Sequence, residues 1–150
     1  MLDKLYKLAI NAQKLDSDKL LQQFLAPTQL QYDILQLNKD QLYYKGIAAD
    51  GRSFGDYAPY TLEYKRKIAP KIGRDTRTDN ITLKDTGAFY DSFKLENERD
   101  QIVISADTEK PNGDLMSFGK ILGLTDESKN ELVDWIKEPL QQAVIEALQQ

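Results

Sequence analysis

The sequence predicts an α+β fold: helices first, a small antiparallel sheet with a β-hairpin, then a long C-terminal helix packed on that sheet. Three observations predict it. Apolar residues recur every three or four positions up to about residue 69 and again beyond 125. Between 81 and 106 the period drops to two. The polar run Asn97-Glu98-Arg99-Asp100 parts two alternating stretches, as a hairpin turn does.

The first helix spans 2–15, with Leu5, Leu8, Ala12 and Leu15 on one face. Asp16-Ser17-Asp18 interrupts it, and Ser17 is placed to cap a second short helix ending near Leu25. Pro27 stops any continuation. Thr28 is the expected N-cap of a third helix over about 29–45, with Leu30, Ile34, Leu37 and Leu42 apolar. Gly46 followed by Ile47 is a C-terminal cap signal, because glycine enters the left-handed region without strain.

Residues 48–58 read as a loop, with turn signals at Asp50-Gly51 and Gly55-Asp56. Pro59 suits the first turn of a helix that ends at Ala69 against Pro70. Residues 70–80 have no period and are expected to be a mobile loop. Ile81 and Leu83 then alternate as a short strand over 81–84. Asp85 or Thr86 caps a turn of helix beginning at Gly87, and Phe89 and Phe93 share one face of it. This corner of Asp85, Thr86, Gly87, Phe89 and Phe93, with Tyr90, wedges its rings against the helices as core.

Phe93 and Leu95, then Ile102, Ile104 and Ala106, form the two arms of the hairpin. Residues 107–114 read as a loop, and 115–122 are ambiguous. Thr125 caps the last helix, with Ser128 as a second option. Leu132, Ile136, Leu140, Val144 and Leu148 make its apolar stripe, and Pro139 is expected to kink it.

The length of 150 residues suits one domain, read as a helical extension over 1–27 and a core over 28–150. No stretch approaches the roughly 20 apolar residues that span a bilayer, and the N-terminus lacks a signal-peptide pattern. There is no histidine and no cysteine, so Ser-His and Cys-His pairings are absent. No phosphate-binding glycine motif occurs. Asp56 with Glu63-Tyr64-Lys65 loosely sketches an acidic metal site. On a helix, however, positions 63 and 65 point apart. No catalytic, metal or cofactor residue is assigned.

Charge is the stronger signal. The net charge is −4, against general nucleic-acid affinity. Yet Lys65, Arg66, Lys67, Lys71, Arg74 and Arg77, set against Glu63 and Asp75, give +4 over residues 60–77. That segment reads as a partner- or phosphate-facing patch, or as a solvated face. In the last helix, six acids against Lys129 and Lys137 give −4. One molecule's basic segment could meet another's acidic helix head to tail, a contact able to close a ring.

Three landmarks carry a family resemblance. Tyr57-Ala58-Pro59-Tyr60-Thr61 with Tyr64-Lys65 is similar to an aromatic, "P-x-T" and lysine-rich helix. Leu83-Lys84-Asp85-Thr86-Gly87-Ala88-Phe89-Tyr90-Asp91-Ser92-Phe93 is similar to an "L-x-x-T-G-x-L-x-x-S" corner. Ser117-Phe118-Gly119 is similar to an "F-G" after a hairpin. In that order, over about residues 40–148, they resemble the small virion-morphogenesis and tail-completion proteins of tailed bacteriophages. The family often has a histidine before "F-G", which this chain lacks, and Leu122-Gly123-Leu124-Thr125 replaces its proline- and aromatic-rich segment.

The resemblance implies a non-enzymatic virion protein without cofactor, assembled in the bacterial cytoplasm, at the head–tail joint or tail terminus. Implied partners are portal or connector, tail-tube and neck proteins, with a homo-oligomeric ring in the particle. Loops 48–58, 70–80 and 107–114 are the expected contact elements. The alternative is a nucleic-acid-binding accessory protein using the basic segment 65–77.

Overall fold

The computed structural model of the protein describes residues 2–26, 28–98 and 101–149, with the backbone alone at 17, 18, 21, 28 and 97. The stop expected at Pro27, the side-chain cap at Thr28 and the turn at Arg99-Asp100 lie outside the described residues. The fold is α+β, with N-terminal helices, two small antiparallel hairpins and a long C-terminal helix.

Helix α1 spans Leu2–Lys14 and α2 spans Ser17–Leu25. The cap of α2 is Asp16 rather than Ser17: its carboxylate accepts from the Lys19 amide at 3.1 Å. Helix α3, Thr28–Asp40, continues into a wider π turn over Gln41–Lys45. In that turn two consecutive residues, Gln41 and Leu42, are both buried, which period-3.6 reading does not anticipate. Gly46 ends it at φ +62°. A Cβ here would lie 2.9 Å from Asn80, whose amide nitrogen donates to the Tyr43 carbonyl. Glycine is therefore needed both for the left-handed cap and for this close approach.

Helix α4 covers Pro59–Lys67. Pro70 does not end the helical run as expected. It sits in the first turn of a 3-10 segment, Ala69–Ile72, where its missing N–H costs no bond. The strand expected over 81–84 does not form. Leu83 stands at φ +55°, outside extended conformation, and Thr82 beside it is buried and hydrogen-bonded. The Thr-Gly bend therefore leads into one strand rather than joining two. Gly87 at φ +98° turns the chain into α5, Ala88–Asp91. Of the two expected caps, Thr86 contributes, its Oγ accepting from the Ala88 amide at 3.1 Å.

Strands β1 (Lys94–Glu98) and β2 (Gln101–Ser105) pair antiparallel, with Leu95 opposite Ile104. The expected loop 107–114 folds back as a second hairpin, β3 (Glu109–Lys110) and β4 (Gly113–Asp114). The ambiguous stretch after it begins as a 3-10 turn, Leu115–Phe118, capped by the Asp114 carboxylate. It then delivers Ile121 to the interior.

The core is Leu42, Phe89, Tyr90, Phe93 and Ile121, with all three corner rings buried as expected. Phe89 meets Phe93 edge-on at 5.0 Å between centroids, a favoured aromatic geometry. Asn38 and Gln41, both fully buried, clamp the segment that leads to the last helix. Asn38 donates to the Ile121 carbonyl and accepts from the Gly123 amide. Gln41 donates to the Gly123 carbonyl and accepts from the Thr125 amide. Each side-chain amide thus stands in for a backbone strand partner.

Helix α6, Asp126–Gln149, is capped by Thr125, whose Oγ accepts from the Ser128 amide at 3.2 Å. It runs through Pro139 as one element. Its stripe from Leu132 to Leu148 is half-buried. The helix packs chiefly on α1, α2 and α3, not on the sheet as expected. Asn11 of α1 donates to the Leu148 carbonyl, joining the two ends of the chain.

Candidate functional site: a groove over the Thr-Gly corner

Helix α4, the corner around Gly87 and the β3–β4 hairpin enclose a groove of about 800 Å³. All three sequence landmarks reach it: Tyr57, Thr61 and Tyr64 from the first, Leu83 to Phe89 from the second, Ser117 and Phe118 from the third.

A buried polar node lies beside it. Lys65 turns inward from α4, and its ammonium meets Asp75 at 2.8 Å, both side chains near 5% exposed. The Asp75 carboxylate also accepts from the Tyr43 hydroxyl at 2.8 Å and from Thr82 Oγ at 3.0 Å. The Tyr57 hydroxyl accepts from the Thr82 amide at 2.9 Å, and the Tyr90 hydroxyl donates to the Thr82 carbonyl. The Lys65 ammonium lies 4.8 Å from the Tyr57 ring centre. Burial alone would push the Asp75 carboxyl up, but the donors Lys65, Tyr43 and Thr82 outweigh it and hold the group below the usual carboxylate range. Burial, reinforced by the bond to Asp75, pushes Tyr43 up to about 12. Burial also raises Tyr90.

These contacts tie helix α4, the π turn and the coil around Thr82 to one carboxylate. The loop 70–80 is accordingly pinned at Asp75, where a mobile loop was expected. Each polar group at the node is engaged with another, which fixes Lys65 and Tyr57 where they line the groove.

The six cations singled out by charge do not form one patch. Lys65 faces inward and is not available to a partner, because Asp75 neutralises it in the interior. Arg74 bonds Asp85 at 2.8 Å, which explains why Asp85 does not cap α5. Arg77 lies over the rings of Tyr43 and Tyr44 and reaches Asp79 and Asn80. Lys67 pairs with Glu63 four residues earlier. Arg66 and Lys71 are exposed. Glu63 out in solvent and Lys65 inside also separate the sketched acidic metal motif.

The sequence reading missed Asp75, Thr82, Tyr43, Tyr57 and Tyr90 as a unit. No local pattern marks Asp75. The only signal was a threonine interrupting the apolar pair Ile81 and Leu83. No protein-family model, curated protein or solved structure matches the chain.

Proposed function

We propose that this chain is a non-enzymatic structural component of a tailed-phage virion, at the head–tail joint or tail terminus. The observation that carries the reading is convergence. Three landmarks, separated by up to 61 positions between Tyr57 and Phe118, line one groove. Their resemblance to tail-completion proteins then concerns one surface rather than three scattered words. The groove is walled by all three expected contact loops, through Tyr57, Arg74 and the β3–β4 hairpin. The buried node holds the lining residues Lys65 and Tyr57 in place, which lowers the ordering cost of docking.

In this reading the partners are portal or connector, tail-tube and neck proteins. The nucleic-acid alternative retains only Arg66, Lys67 and Lys71 as outward cations, too few for strong phosphate binding. Light scattering on the purified protein, alone and mixed with candidate neck components, tests the proposal. A mixed complex, weakened by substitutions at Thr61 or Phe118 in the groove, is expected. A strict monomer that binds none of them would overturn it.

A further inference from the structure

Two faces of the molecule carry exposed apolar side chains together with net charge, basic on one despite Glu63 and acidic on the other despite Lys45. On α4 and the 3-10 turn after it, Tyr60, Ile68 and Ile72 are between 50% and 78% exposed. Arg66 and Lys71, both exposed, lie among them, and neither has an ion pair among the described residues. On α6, Glu127, Glu131, Asp134 and Glu138 follow at spacings of four, three and four. They form one exposed stripe opposite the stripe that packs on α1 to α3. Beside the acidic stripe α6 and α3 enclose a groove of about 460 Å³. Glu131, Asp33 and Asp40 line it with Leu37 and the half-exposed rings of Tyr44 and Trp135, against one cation, Lys45, which pairs with Glu127 at 3.2 Å and leaves the groove net acidic.

An acidic groove with aromatic walls suits a cation on an aliphatic stem flanked by apolar groups. It repels nucleic acid. The Arg66–Ile72 knob of the same chain has that composition. From this complementarity we infer that the molecule associates head to tail with a second copy of itself, the 60–72 knob of one seated in the α3–α6 groove of the next. The two faces are different surfaces, so the contact is heterologous and each added copy leaves one knob and one groove open. These self-contact surfaces deepen the virion reading, on which their place in a particle rests.

Charge exchange tests it. Light scattering on the full chain should show multimers whose mass falls as ionic strength rises from about 0.05 M to about 0.5 M. The single tryptophan, Trp135, should shift its emission to shorter wavelength on association. The double variant Arg66→Glu with Lys71→Glu should associate more than about tenfold less tightly, and so should Glu131→Lys with Asp134→Lys. All four side chains are exposed, so circular dichroism should stay unchanged. Mixing the two variants should restore assembly, since each reversed knob then meets a reversed groove. Overturning results are a wild-type chain that stays monomeric, reversed variants that associate like wild type, or a mixture that fails to reassemble. If reversal has no effect but neck components still bind, this contact fails and the virion reading stands. If charge exchange works and no neck component binds, the converse holds.

Discussion

The corner body around Thr82 and the helical layer of α1, α2 and α6 are stabilised in different ways. In the corner body, Phe89, Tyr90 and Phe93 are almost fully buried, and a paired lysine and aspartate lie inside with them. In the helical layer α1 has no buried residue, and in α6 only Ser128 is buried. Leu2, Leu5, Tyr6 and Val133 are more than half exposed there. The corner is specified by matched polar partners, so few arrangements satisfy it. The layer is held by half-buried apolar stripes, which tolerate small shifts. Rigidity therefore lies next to the landmark groove, and adaptability lies in the face bearing the acidic stripe.

The largest expected effects fall in the corner. Asp75→Ala leaves the Lys65 ammonium buried without its partner and should cost about 3 to 5 kcal/mol of unfolding free energy in urea melts. Phe93→Ala opens a cavity in the core that Phe93 shares with Phe89 and Tyr90 and should cost a similar amount, about 3 to 5 kcal/mol. A loss below about 1 kcal/mol in both would erase the contrast. In the helical layer, Leu140→Ala should cost only about 1 to 2 kcal/mol, below the range for a fully buried leucine. Thr125→Ala removes the cap of α6 and should cost about 1 kcal/mol.

The pH response sharpens the same distinction. Asp75 is held below its ordinary value in the folded state, so its contribution is present above about pH 4 and is lost as pH falls through the folded value. Tyr43 is raised to about 12, so its contribution is complete below about pH 10 and is lost as pH rises toward 12. Urea melts across both windows should show these slopes in the wild type. Asp75→Asn should flatten the acid one, while Leu140→Ala should leave both unchanged.

Much of the architecture was legible in residue order. The caps at Gly46 and Thr125, the first hairpin and the buried corner rings follow from turn chemistry and period, which act over a few residues. The 81–84 stretch shows where that logic stops. Its alternation matched a strand, yet Thr82 is tied to Tyr57, Asp75 and Tyr90, and Leu83 leaves the extended region. The charge pattern at 65–77 likewise counted cations without their partners. Lys65 and Arg74 are neutralised ten and eleven positions downstream, by Asp75 and Asp85. A third lapse was the place of α6. Its stripe required a partner but did not say which, and the helices supplied it.

By itself, the chain's residue order determined element type and the apolar face of each helix, since backbone preference and amphipathic period are local properties. Only the tertiary structure decided which charges are spent inside and which remain outside, and that the three landmarks share one groove. Those outcomes depend on through-space distances between segments far apart in the chain. Coulomb attraction and hydrogen bonding act across a few ångströms of space, whatever the separation along the backbone.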